Sequence, residues 1–104
     1  MDKNFINEAA RILVNLRMHK APMENLPERC RPRNEEEAYK IQDELHRQFT
    51  KHGFGTRIGY KIGCTTPVMQ NYMNIDHPCV GGIFEGRKHY SPVSLDFNGF
   101  FSLL

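Results

Sequence analysis

A chain of 104 residues, 39% hydrophobic and 25% charged, has room for one domain around one modest core. Its 14 basic and 12 acidic residues are interspersed and leave a net charge of +2, which points to neither a nucleic-acid stripe nor a polybasic membrane patch. No apolar run approaches the roughly 20 residues that cross a bilayer, and the acid-containing N-terminal stretch lacks the apolar centre and small-residue cleavage site of a signal peptide.

The cysteines Cys30, Cys64 and Cys79 form an odd set without a CxxC pair, so reduced thiols and a cytoplasmic location are expected. The five histidines show neither HxxxH nor Cys-His spacing, which is not the pattern of a zinc site.

In chain order, residues 4–19 read as a first helix, with Phe5, Ile6, Ala9, Ile12, Leu13 and Leu16 recurring at helical steps. Residues 20–33 hold three prolines and no periodicity, so they read as a connector. Within them Arg29, Arg31 and Arg33 are interrupted by Cys30 and Pro32 and followed by acids, as in a solvated linker. A second helix should start at the N-cap Asn34, with Glu37 placed for a capping box and acids filling the first turn. Ala38, Ile41, Leu45 and Phe49 form its apolar stripe, and Gly53 should end it near residue 52.

After Gly55 the period changes to two. In TRIGYKIGC, Ile58, Tyr60, Ile62 and Cys64 fall on one face, and Arg57, Gly59, Lys61 and Gly63 on the other. Thr66 and Pro67 then announce a short helix as N-cap and first residue. Its packing face would be Val68, Met69, Tyr72 and Met73, read as core rather than as a ligand box. Short strands are expected around 80–84 and 94–97. The fold class is α+β: two N-terminal helices, then short strands and a short helix, as the front part of a larger mixed β fold. The apolar end FNGFFSLL fits a buried last strand or an incomplete C-terminus, and the second is the expectation carried forward.

Lys61 stands between two glycines, so its stem has open space on both sides. Glycine inside a strand weakens it and often marks close approach by a ligand or another backbone. A lysine beside a helix N-terminus suits a small carboxylate or phosphate, and Thr65 and Thr66 would add hydroxyl donors. The alternative is a solvent-facing strand lysine. His77 reads as a turn residue, Cys64 as a buried inert thiol, and Cys79 as a loop cysteine.

The segments AYKIQDEL, GYKIGCTTPVMQ and IDHPCVGGIF, in that order and spacing, resemble the 2-keto-4-pentenoate hydratase and 4-oxalocrotonate decarboxylase group of the fumarylacetoacetate hydrolase superfamily. The resemblance spans about residues 36–85. It implies a metal-dependent lyase acting on small 2-oxo or 2-hydroxydienoic acids in aromatic catabolism, with Lys61 binding and polarising the substrate. A homo-oligomer is expected, with no nucleic-acid or membrane partner.

Two departures bear on that reading. Family hydratases carry an acid at the position of Cys79. A thiol near its ordinary pKa of about 8.5 is mostly neutral at pH 7 and a poor stand-in for a carboxylate base. Asp76 is the nearby substitute. The family is also more than twice as long, and its Mg²⁺ or Mn²⁺ is held by a Glu-x-Glu motif and a further acid beyond the point where this chain ends. The acids at 35–37 belong to a helix cap, so residues 1–104 alone are expected to be inactive. Three other outcomes stay open: an oxalocrotonate decarboxylase, an acylpyruvate hydrolase of the same superfamily, and a non-catalytic small-acid binding or subunit-interaction module.

Overall fold

The computed structural model describes residues 1–96. The apolar end Phe97–Leu104 lies outside the described residues. Elements run in the order α1 (Lys3–Met18), a 3₁₀ turn (Glu28–Cys30), α2 (Glu35–Phe49), β1 (Arg57–Gly63), α3 (Pro67–Tyr72), β2 (Cys79–Phe84) and a 3₁₀ turn (Glu85–Arg87). The α+β class holds. No helix among the described residues is long and apolar enough to cross a membrane.

Each helix starts where a side chain replaces a missing carbonyl partner. Asp2 accepts from the Asn4 amide, Asn34 from Glu37 at 2.9 Å, and Thr66 from Met69 at 3.3 Å. The expected capping box at α2 is shifted by one residue. The Glu37 carboxylate reaches back to the Arg33 amide at 2.9 Å rather than to that of Asn34. That bond, ahead of the Arg33 charge, holds the Glu37 carboxyl below its ordinary range against the cost of burial.

Helix ends follow an equally local logic. After α1 the Ala21 amide donates to the Leu16 carbonyl and that of Lys20 to Arg17, with Lys20 left-handed at φ +52°. After α3 the Ile75 amide donates to Gln70 and that of Asn74 to Asn71, with Asn74 at φ +57°. Both are Schellman terminators, built on lysine and asparagine instead of glycine. Helix α2 instead runs into one wide turn over Thr50–Phe54, where Gly53 takes φ +91°.

Helices α1 and α2 pack together around Ala9, Cys30 and Ile41, with Ile6, Leu13 and Leu26 against them. Ala9, Ala10 and Val14 are the buried residues of α1, so its inner face is made of smaller side chains than the expected stripe. A second nucleus joins the end of α2 to the sheet. Phe84 is buried with its ring edge-on to His46, Phe49 and Phe54, while Phe49 and Phe54 stack at 4.6 Å. The three linker arginines have partners: Arg29 pairs with Glu8 of α1, Arg31 donates to the Leu26 carbonyl, and Arg33 pairs with Glu37.

Strands β1 and β2 form a two-stranded antiparallel sheet. Lys61 faces Gly81, Tyr60 faces Gly82, and Gly63 faces Cys79, with a bulge between Arg57 and Gly59. The expected burial of the apolar side of β1 does not occur. Tyr60 and Ile62 are 61% and 66% exposed, because α2 lies along β2, at Val80, Gly82 and Phe84, and leaves this part of β1 uncovered. The packing face expected for α3 is likewise open, with Val68 at 75% and Tyr72 at 82% exposure. A two-stranded sheet has too little area to cover both a helix and its own face. Cys64 is half-buried rather than buried, and Cys79 opens β2 instead of lying in a loop. Residues 80–84 are strand as expected, whereas Ser94, Leu95 and Asp96 form none and Phe97 lies outside the described residues.

Candidate functional site

Strand alternation decides where Lys61 goes. A side chain on Gly82 would strike His46 and Arg57, so Gly82 and its partner Tyr60 face α2. Lys61 and Gly81 therefore face the other way, onto the side of the sheet that α2 leaves uncovered. The lysine stem lies across Gly81, its Cε 3.1 Å from the point a β-carbon there would occupy. Along the strand, nothing would meet a β-carbon on Gly63, and only Ile83 comes within 4.0 Å of one on Gly59. Among the described residues no carboxylate pairs with the Lys61 ammonium. An unpaired cation on a glycine-lined face can hold a small anion without first breaking an ion pair.

Thr65 and Thr66 are exposed at the joint between β1 and α3. The helix mouth offers fewer amides than its position suggests. Pro67 has none, and the Met69 N–H is already taken by the Thr66 hydroxyl oxygen. The Thr65 and Thr66 hydroxyls remain as neutral donors.

Structure also joins segments far apart in sequence. The Val80 amide donates to the Tyr39 hydroxyl at 3.1 Å, and the Val80 carbonyl accepts from Gln42 Nε2 at 2.9 Å. Glu35, at the start of α2, lies 2.7 Å from His77 Nε2. AYKIQDEL, GYKIG and DHPCVGGIF thus form one contiguous unit, with α2 tied to β2 and β2 paired to β1. The His77 contact is not legible in the sequence, where Glu35 is one acid of a helix cap and His77 a turn residue. Its imidazole is held above the ordinary histidine range, first by the Pro78 carbonyl facing Nδ1 and then by Glu35.

Two open grooves flank this seam. One, of about 620 Å³, is lined by Glu35, Tyr39, Asp43, Arg57, Tyr60 and His77. Arg57 stacks 4.7 Å from the Tyr60 ring centre and lies 3.3 Å from His46 Nδ1. Burial, then the Arg57 charge, push His46 below its ordinary value, so it stays neutral and accepts from the guanidinium. The other groove, of about 910 Å³, runs between the start of α2 and the segment from Met73 to Val80.

Cys79 cannot serve as a carboxylate-like base. Burial, followed by the proximity of Cys64, raises its thiol above the ordinary range. Asp76 is almost fully exposed and lies 3.8 Å from His77 Nε2. Among the described residues no group of three or more His, Cys, Asp and Glu is placed to hold a metal ion. No family model, no curated protein and no solved structure gives a significant match to this chain.

Proposed function

We propose that this chain is the N-terminal region of a lyase of the 2-keto-4-pentenoate hydratase and 4-oxalocrotonate decarboxylase type, binding a small 2-oxo acid through Lys61. The observation that carries the reading is the Lys61 ammonium, unpaired among the described residues, on the open, glycine-lined face of β1. It is supported by the joining of the three resembling segments through Val80 and the β1–β2 ladder.

In this reading Lys61 takes the substrate carboxylate by a charge-assisted hydrogen bond, and the Thr65 and Thr66 hydroxyls orient its oxygens. Gly81 lets the lysine stem lie flat on the strand, and the open space at Gly63 leaves room beside it for the ligand. The described residues hold no cluster of His, Cys, Asp and Glu that fits the divalent ion implied by the resemblance. Hydration, decarboxylation and acylpyruvate cleavage share this carboxylate anchor and are told apart by their products.

The test is a titration of the isotope-labelled chain with 2-oxopent-4-enoate, following backbone amides by NMR. Shifts should centre on residues 59–66 and 81, and Lys61→Met should weaken binding about tenfold or more while leaving the spectrum folded. Equal affinity in the variant, or shifts confined to other regions, removes the assignment.

A second reading, a subunit-interaction module, is favoured by a different observation. Tyr60, Ile62, Val68 and Tyr72 are all more than half exposed. Sedimentation of the chain over a concentration series tests self-association; a monomer at every concentration argues against it.

A further inference from the structure

We propose that Cys64 and Cys79 form a reversible intrachain disulfide when the chain meets a hydroperoxide, joining the residue that follows β1 to the first residue of β2.

Three observations converge on the pair. Cys79 lies directly opposite Gly63, the immediate neighbour of Cys64. Facing residues of an antiparallel ladder have α-carbons about 4.5–5.5 Å apart. The next residue along therefore falls close to the window of about 4.4–6.8 Å that a disulfide spans.

Direction is supplied by the backbone. In a continuing strand Cys64 would point to the face opposite Gly63 and Cys79. Instead Cys64 adopts φ +54°, which breaks the alternation, and its thiol lies near enough to that of Cys79 to raise it. A left-handed, non-glycine residue at the end of a strand is strained, and glycine would sit there at no cost. Gln70 fixes the strained residue from α3, donating from Nε2 to the Cys64 carbonyl at 3.0 Å.

Accessibility separates the pair from the remaining thiol. Cys64 and Cys79 are half-buried and unbridged, whereas Cys30 is wholly buried between α1 and α2. A hydroperoxide reaches the first two and not the third.

The step balances. A thiolate of the pair attacks the terminal peroxide oxygen. The S–O bond forms as the O–O bond breaks, and the remaining oxygen leaves as water or alcohol after taking a proton. The partner thiol then attacks the sulfenic sulfur; S–S forms as the S–O bond breaks, and the thiol proton leaves with the hydroxyl group as water. The two sulfurs are oxidised, the peroxide is reduced, and a dithiol reverses the reaction by exchange. The bridge closes a loop containing α3, Thr65 and Thr66, and so restricts the segment next to Lys61.

The experiment treats the full chain with hydrogen peroxide, then alkylates it in denaturant and measures intact mass and peptide linkage. The expected result is the loss of two hydrogens, alkylation of Cys30 alone, and a single Cys64–Cys79 peptide that dithiothreitol removes. Cys30→Ser should keep the linkage; Cys64→Ser and Cys79→Ser should each abolish it. Alkylation of all three cysteines, a bridge through Cys30, or dimers joined chain to chain would overturn the proposal on the unmutated protein, whatever the variants do.

Discussion

His77 Nε2 meets a carboxylate oxygen of Glu35 at 2.7 Å, so the bend ahead of β2 is fastened to the first turn of α2. The imidazole is raised above its usual value by the Pro78 carbonyl and by Glu35, so folding favours the protonated ring. Its contribution to stability is therefore complete below the unfolded pKa of about 6.5 and is lost as pH rises through the higher folded value. His46 has the opposite sign: burial and Arg57 lower it, so its contribution is present above the unfolded value and lost as pH falls through the folded one. An NMR titration should show His77 changing charge at higher pH than His46. Glu35→Gln should move His77 partway down and leave His46 in place. A reversed order would mean that the fastening is not formed.

Gly81→Ala is expected to disturb Lys61 and spare the fold. The new methyl would lie 3.1 Å from Lys61 Cε, and a flexible stem can yield by a few tenths of an ångström. Thermal stability should stay within about 0.5 kcal/mol of the parent, as for other surface changes. Affinity for a small 2-oxo acid should fall measurably in the same titration. Unaltered affinity would show that the stem's position over Gly81 is irrelevant to binding.

At Gly86 the obstacle is main chain. A β-carbon would sit 2.9 Å from the Phe54 carbonyl oxygen and 3.2 Å from its carbon. Gly86→Ala should cost about 1–3 kcal/mol, the range for forced overpacking. Thermal denaturation should then begin lower by about 4–8 °C per kcal/mol for a domain of this size. A change below a degree would mean that the 85–87 turn can separate from the turn after α2.

Lys20→Gly should stabilise the chain. Lys20 terminates α1 in a left-handed conformation that costs a β-carbon-bearing residue about 1–2 kcal/mol. Glycine removes that cost and gives back part of it through the freer unfolded chain, leaving a gain of about 0.5–1 kcal/mol. Chemical denaturation should show a higher midpoint with an unchanged slope. A lower midpoint would place the lysine stem in a packing role.

Glu44 should make stability depend on pH in the acid range. Its carboxyl is held down to about 2, chiefly by the bidentate Arg47, with burial opposing and Gln48 assisting. A depressed carboxyl stabilises the fold above its unfolded pKa and loses that effect as pH falls from about 4.5 towards about 2. Glu44→Gln should flatten the stability profile across that window and leave the neutral-pH spectrum unchanged.

The elements set by local rules were legible in the sequence: Asn34 and Thr66 as caps, the alternation of β1 from Gly59 to Gly63, and Pro67 at a first helical position. The bulge after Arg57, by contrast, turns that residue to the face of Tyr60 instead of the expected face of Lys61. The face occupied by Lys61 was legible too, since alternation alone assigns it once Tyr60 is placed towards α2. Burial was not. Periodicity shows that Ile62 and Tyr72 share faces with other apolar residues, but not whether an element arrives to cover them. The Glu35–His77 contact joins residues 42 positions apart and carries no spacing signal. At Cys64 the alternation was read one residue too far, because nothing local to that cysteine announces a left-handed backbone.

The hold that Tyr39 and Gln42 keep on Val80 also governs how the sheet can be extended. An additional strand offered to the β2 border finds both backbone groups of Val80 already spoken for by side chains of a helix. Along β1 the outward amides and carbonyls have no such guard among the described residues. Growth of the ribbon is thus polarised, and a third strand, from this chain or another, should add beside β1.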